Sequence, residues 1–363
     1  MNEKKTLSGK KLKAIDFFCG AGGMTYGLKQ VGIEILAGID NDPECKGTYE
    51  SNNPGSHFIN TDINELSPGK LRKRTGIKKN DDSMIFIGCS PCQYWTHINT
   101  LKEKSSNTKN LLMEFCRFVE YFKPGYIIIE NVPGMLKKSK ESKLDVFLKY
   151  LDENSYVFKH EVVNANHYGV PQNRKRFILI ASRITDMVKL PEPQEEPYPV
   201  VKDIIGIANG FPKIQAGHTD DSQFQHTTAL LLEKNILRLK KTPANGGTRE
   251  AWKDDPELQI NAYRGKDGIF RDVYGRMYWD RPAPTITTKF IRTSNGRFSH
   301  PEEHRGLSLR EGAALQTFST EYIFLGTDIS SVAKQIGNAV PPELAKSIGE
   351  AIVESYINAN VQS

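Results

Sequence analysis

The chain has 363 residues, 38% hydrophobic and 25% charged, with a formal net charge of +6, which suits one large folded domain or two modest ones and leaves a polyanionic partner open. No apolar run approaches the roughly 20 residues of a membrane-spanning helix, and the polar, basic stretch Met1 to Lys13 lacks the apolar region of a secretory signal. Five cysteines, an odd number, argue against a disulfide framework, so reduced thiols and a cytoplasmic location are expected.

The first half alternates short apolar runs with amphipathic stretches. The pattern predicts a strand at Ala14 to Phe18, a helix at Met24 to Val31 and a strand at Ile33 to Ile39. Met84 to Ile87 reads as a buried strand, Leu111 to Phe122 as a helix and Tyr126 to Ile129 as an isoleucine-rich strand. Leu144 to Leu151 is then a helix and Phe177 to Ala181 a strand. Strands alternating with helices imply an α/β domain with a mostly parallel, doubly wound sheet. After about residue 184 the texture changes: Pro191, Pro193, Pro197 and Pro199 form a connection, and turn residues dominate to about Arg305. Helical character returns at Leu309 to Phe318 and Pro342 to Asn358. The expected domains are residues 1–188, a smaller, mostly irregular and β domain over 189–328, and a segment 329–363 that returns to the first.

Residue chemistry clusters at the strand ends. Asp16 to Gly23 is a glycine-rich strand-to-helix turn whose backbone can approach an anionic ligand, though it is neither a Gly-x-Gly-x-x-Gly pattern nor a P-loop. Asp40 ends the next strand, where an acid can take ribose hydroxyls, and Asp62 lies in a similar context. Gly88-Cys89-Ser90-Pro91-Cys92-Gln93 follows a buried strand and presents a thiol. No second Cys-x-x-Cys or His-x-x-x-His supplies further ligands, so no metal is expected. Cys89 reads as a structural cysteine. Glu130-Asn131-Val132 follows the isoleucine strand, at the edge where open sheets bind ligands. Gln172-Asn173-Arg174-Lys175-Arg176 places three cations before the last strand, as a solvated edge or as a grip on a phosphate or carbonyl.

Together these motifs resemble the cytosine-5 DNA methyltransferases, in the family's linear order over nearly the whole chain. Asp16 to Gly23 is similar to its cofactor motif, Pro91-Cys92-Gln93 to its nucleophile motif, Glu130-Asn131-Val132 to its glutamate motif and Gln172-x-Arg174-x-Arg176 to its arginine motif. Arg310-Glu311 to Leu315-Gln316 resembles the motif that closes the recognition domain, and Gln335 to Pro342 the final motif. Cys89-Ser90 and Tyr94-Trp95-Thr96 depart from the family's usual residues around the nucleophile, and Thr108 stands near a place where it often has arginine.

The resemblance implies a Rossmann-like sheet that binds S-adenosylmethionine and releases S-adenosylhomocysteine, with duplex DNA as substrate and a flipped-out cytosine as target. Its catalytic residues would be Cys92 as nucleophile, Glu130 on the ring nitrogen and amino edge, Arg176 on the base carbonyl and Arg174 in support. Glu130 would have to carry or share a proton. Phe18, Cys19, Gly20, Ala21, Gly22, Gly23, Asp40, Asp62, Ile63, Pro91, Leu111, Asn338 and Val340 would hold the cofactor; Gln93 and Gln172 would face the substrate. Gln93 to Asn110 would form a lid, with Tyr94 or Trp95 packing near the base or the stack it vacates. Tyr263-Arg264, Arg271, Tyr274, Arg276, Tyr278-Trp279, Arg292 and Arg297 interleave as DNA contacts require, although Tyr274 to Thr288 also resembles a framework segment. The protein would act as a monomer on DNA at the nucleoid, with a cognate restriction endonuclease as a candidate partner. A tRNA methyltransferase and a non-catalytic DNA-binding relative are the competing readings.

Overall fold

Burial on both faces turns the apolar runs into adjacent strands of one sheet. The computed structural model describes residues 11–91, 110–265 and 269–361. They group into two units: one runs up to Asn164 and takes in Lys175–Pro193 and the chain from Pro342 onward, the other comprises Ala165–Arg174 and Gln194–Pro341.

The first unit holds a seven-stranded sheet of β1 (Lys13–Phe17), β2 (Glu34–Asp40), β3 (His57–Asn60), β4 (Met84–Gly88), β5 (Tyr126–Asn131), β6 (Val157–Asn164) and β7 (Lys175–Ser182). The spatial order is β3-β2-β1-β4-β5-β7-β6. The strands β1 to β5 run parallel, and β7 lies antiparallel to both its neighbours. Central β4 and β5 are buried at every residue, which is why they read as unbroken apolar runs. The edge strand β6 has only Val163 fully buried, and its charged Lys159 and Glu161 hide it from an apolar-run reading while discouraging further pairing. The strand β3 is missed for its brevity.

Helices α1 (Gly23–Gln30), α2 (Cys45–Asn52), α3 (Pro68–Thr75), α4 (Leu111–Phe122) and α5 (Leu144–Glu153) connect these strands. The helix α4 buries Leu112, Phe115, Cys116, Val119 and Phe122 at helical spacing against the sheet. Phe115 and Phe118 meet Phe17 of β1 with ring centroids 5.2 and 5.0 Å apart. The helix α3 starts where the Ser67 side chain accepts from the Lys70 amide and Pro68 takes the first turn; it ends at left-handed Gly76. The C-terminal helix Pro342–Val361 packs on α1. A Cβ on Gly27 would sit 2.3 Å from the Pro342 carbonyl oxygen, so this approach requires glycine.

In the second unit regular elements are few: α6 (Glu233–Lys241), α7 (Leu309–Leu315), α8 (Ile329–Asn338) and a two-residue parallel pairing of Gln172–Asn173 with Ala283–Pro284. The helix α6 is not evident from the sequence, because only Arg238 and Leu239 of its residues are buried. Loops leave carbonyls without ladder partners, and buried arginines supply them. Arg276 donates to the carbonyls of Thr242, Leu239, His300 and Glu303, and Arg310 to those of Phe224, Gln223, Ser319 and Tyr322. Arg276 is thus a framework residue rather than a DNA contact. Arg297 likewise pairs with Asp272 and donates to the carbonyls of Gly246 and Arg276, whereas Arg264, Arg271 and Arg292 remain exposed.

Candidate active site

The parallel strands bring the sequence motifs to one edge of the sheet, at their carboxyl ends. The turn after β1 alternates left-handed residues, with φ of 64° at Phe18, 51° at Gly20 and 89° at Gly22. Phenylalanine is strained there, and the Phe18 and Cys19 amides hold it by donating to the Ile39 carbonyl at 2.8 and 3.1 Å. Asp40, at the end of β2, completes the turn: its Oδ2 accepts from the Gly20 amide at 2.8 Å and its Oδ1 from the Asp42 amide at 2.9 Å. Asp62 Oδ1 accepts from the Asn64 amide and side chain, Ile63 is buried, and Leu111 is buried at the start of α4. Cys19 and Ala21 are buried; burial, then Asp40 and Asp16, push the Cys19 thiol well above its usual range.

Asp16 is wholly buried beneath this turn. Its Oδ2 accepts from the Thr25 hydroxyl at 2.7 Å, which continues to Tyr49 and Ser56, while Oδ1 has no hydrogen-bond partner among the described residues. Burial lifts its pKa to about 7, partly offset by the Thr25 bond. A carboxyl raised on folding binds protons that the unfolded chain has lost. It therefore costs stability progressively as pH rises from about 4 to about 7. Asp16→Asn should flatten the fall in the urea midpoint between pH 4.5 and 7.5 relative to the unmodified protein; an unchanged pH slope would exclude this role.

One strand over, the register of β5 and β7 assembles an acid–cation pair. Glu130 lies opposite Ile178, and Arg176 is two residues along β7 on the same face. Arg176 Nε reaches Glu130 Oε1 at 2.9 Å, with both side chains largely buried. The next residue, Asn131, is a clamp. Its Nδ2 donates to the Ser90 carbonyl at 2.9 Å and lies 3.2 Å from the Ser90 hydroxyl, while its Oδ1 accepts from the Val132 amide. Asn131 thereby ties β5 to the residues that lead into Pro91 and Cys92. Cys89, half-buried after β4, has its thiol pushed well up by burial, then by Glu130 and Asp16.

Cys92, Gln93 and the proposed lid with Tyr94 and Trp95, apart from its last residue Asn110, fall in 92–109, outside the described residues; Pro91, just before them, is exposed. Within the second unit, Gln172 is fully buried and engaged at both ends: Nε2 donates to the Leu315 carbonyl and Gln316 Oε1, and Oε1 accepts from the Ile286 amide. Arg174 is buried and donates to the carbonyls of Ile286, Gly337 and Ala339. Asn338 is the exposed last residue of α8, and Val340 is buried.

The motif reading gave Asn131 no role of its own, and only its hydrogen bonds reveal one. Asn131→Ala should lower turnover about 10- to 100-fold, through misplacement of the Ser90–Pro91 segment, and leave cofactor affinity within about twofold. Single-turnover kinetics and equilibrium binding separate the two; an equal loss in both would mean a general structural role.

Known proteins resemble this chain over nearly its whole length. The model of the C-5 cytosine-specific DNA methylase family matches residues 12–354. The Type II methylase M.HgiDII of Herpetosiphon aurantiacus is 38% identical over 93% of this chain and 94% of its own length. The Type II methyltransferase M1.HphI of Haemophilus parahaemolyticus is 30% identical over 96% of this chain and 88% of its own. Among solved structures, a putative DNA modification methyltransferase from an Escherichia coli prophage superposes with a TM-score of 0.71 at 22% identity, over 95% of this chain and 99% of that one. This chain belongs to the C-5 cytosine-specific DNA methylase family.

Proposed function

We propose that the protein transfers a methyl group from S-adenosylmethionine to carbon 5 of a cytosine flipped out of a specific duplex DNA sequence, through a covalent adduct with Cys92, as the modification enzyme of a restriction-modification system. The observation that carries this reading is the Glu130–Arg176 pair, at 2.9 Å on the same sheet edge as the Phe18–Gly23 turn. A guanidinium and a carboxyl side by side match the polar edge of cytosine: Arg176 donates to the ring carbonyl, and Glu130 bonds the adjacent ring nitrogen and amino group. The Cys92 sulfur adds to carbon 6, which breaks aromaticity and makes carbon 5 enamine-like. After methylation, loss of the carbon 5 proton and of the sulfur–carbon bond returns the thiolate. Asn131 holds Ser90, two residues before Cys92 in the chain. Extrusion of the base is needed because carbons 5 and 6 are shielded within a stacked duplex.

When bound, S-adenosylmethionine supplies an electrophilic methyl group. The turn fits such a ligand: among the described residues a Cβ at Gly20 would meet nothing within 4 Å, and a buried Asp16 oxygen lacks a partner. Asp40 already accepts from two amides, yet a carboxylate retains further acceptor sites for ribose hydroxyls. Phe18 would pack on the adenosine, Asp62 and Ile63 would hold the adenine, and Leu111 would line the pocket. Gln172 and Arg174 act as positioning residues, because their polar groups already hold backbone. The protein acts on DNA in the nucleoid as a monomer, beside a cognate endonuclease.

The test is labelled methyl transfer onto duplex DNA and onto tRNA. Transfer to DNA alone is expected, and bisulfite sequencing of that DNA then reads the target. Transfer to tRNA alone would replace this reading with its competitor.

A further inference from the structure

The strongest charge feature of the chain plays no part in the site above. Between Leu66 and Asn80 there is no acidic residue, while Lys70, Arg72, Lys73, Arg74, Lys78 and Lys79 supply six cations. All six are exposed, and none forms an ion pair among the described residues. Two cations near it are matched: Arg117 bonds Glu114 and Arg183 bonds Asp82.

The fold places this segment away from the catalytic edge. The Asn80 amide donates to the Phe122 carbonyl at 2.7 Å and the Gly125 amide to the Asp81 carbonyl at 3.1 Å, immediately before β4 and β5 begin. The catalytic motifs leave the other ends of the same strands, about 15 Å away at some 3.3 Å per strand residue. Beside the basic segment a groove of about 520 Å³ runs between the start of α3 and the second half of α4, lined by Pro68, Lys79, Asn80, Arg117, Tyr121 and Lys123, with Glu120 as its acid. Lys79 lies 3.8 Å above the Tyr121 ring, which holds one ammonium at the rim.

We propose that α3 and this groove form a second nucleic-acid contact, for the phosphate backbone of duplex DNA beyond the stretch engaged at the catalytic edge. Unpaired cations along one exposed helix repel one another and lower their energy by displacing the counterions of a polyanion. An apolar or basic partner finds no complement there. The inference rests on the reading of DNA as the substrate, and it adds a surface that retains the protein on long DNA without touching chemistry.

The test compares the unmodified protein with Arg72→Glu/Lys73→Glu/Arg74→Glu and with the neutral Arg72→Gln/Lys73→Gln/Arg74→Gln. Binding to a random-sequence duplex of about 300 base pairs is followed from about 50 to 200 mM salt. The charge-reversed protein should bind about 10- to 100-fold more weakly at low salt, with a salt slope shallower by about 2 to 3, and the glutamine variant should fall between. Labelled methyl transfer into genomic DNA sheared to about 50 base pairs should be unchanged in both. Salt slopes equal to that of the unmodified protein in both variants overturn the proposal. If charge reversal lowers thermal stability, the glutamine variant alone decides. Failure of the unmodified protein to methylate any DNA sinks the catalytic reading instead, because the binding measurement needs no turnover.

Discussion

Cys92→Ala should reduce methyl transfer to below about one thousandth of the normal rate, while Cys89→Ala retains activity. The two thiols are three residues apart in a Cys-x-x-Cys, so sequence spacing alone does not tell them apart. Surroundings do. Cys89 sits at the end of β4 with its amide 3.4 Å from the Phe17 carbonyl, and burial beside Glu130 and Asp16 holds its thiol protonated. A protonated, half-buried thiol is a poor nucleophile. Cys92 follows the segment that Asn131 fixes. The readouts are initial rates with labelled cofactor and covalent trapping on DNA carrying 5-fluorocytosine, which blocks release of the adduct. Trapping should vanish in Cys92→Ser and persist in Cys89→Ala. S-adenosylmethionine binding should survive in both, which separates loss of the nucleophile from loss of the fold. Trapping that persists without Cys92 would refute the assignment.

The second large effect concerns stability. Glu311→Gln should destabilise the protein by about 3–5 kcal/mol. Glu311 and Arg305 are fully buried and form two bonds of 2.7 Å, and Glu311 also accepts from the amide of Ser308, the N-cap residue of α7. Burial opposes ionisation of Glu311, but the Arg305 bonds outweigh it and bring its pKa down to about 2. A carboxyl whose pKa falls on folding adds stability above its unfolded pKa of about 4.5, and that stability is lost as pH drops toward 2. Removing the acid leaves the Arg305 guanidinium buried with, among the described residues, Glu303 as its remaining ion-pair partner. Arg305→Met/Glu311→Leu should therefore be much less destabilised than either single variant, because it removes both charges from the interior. Urea midpoints of the unmodified protein, Arg305→Met, Glu311→Leu and the double variant close the cycle. Additive losses would show that the pair is not coupled.

The sequence by itself determined the α/β class and the family motifs, because both depend on local pattern. Apolar runs bounded by turns mark β1, β2, β4, β5 and β7, and the groups proposed for the site border those runs. Where that pattern is weak the reading missed elements: β6, whose face is charged, α2, with few apolar residues, and α6, which buries two. Other features were decided only by tertiary structure, because they come from pairings between distant residues. The register of β5 on β7 sets Arg176 beside Glu130, and Asn131 reaches back 41 positions to Ser90. Gln172, Arg174, Arg276 and Arg310 read as groups available to substrate or DNA, or as parts of a motif, until their hydrogen bonds to loop carbonyls appear. A buried carbonyl without a ladder partner must find a donor, and sequence does not say which one. The basic run at α3 was plain in the sequence, but its place at the far edge of the sheet was not.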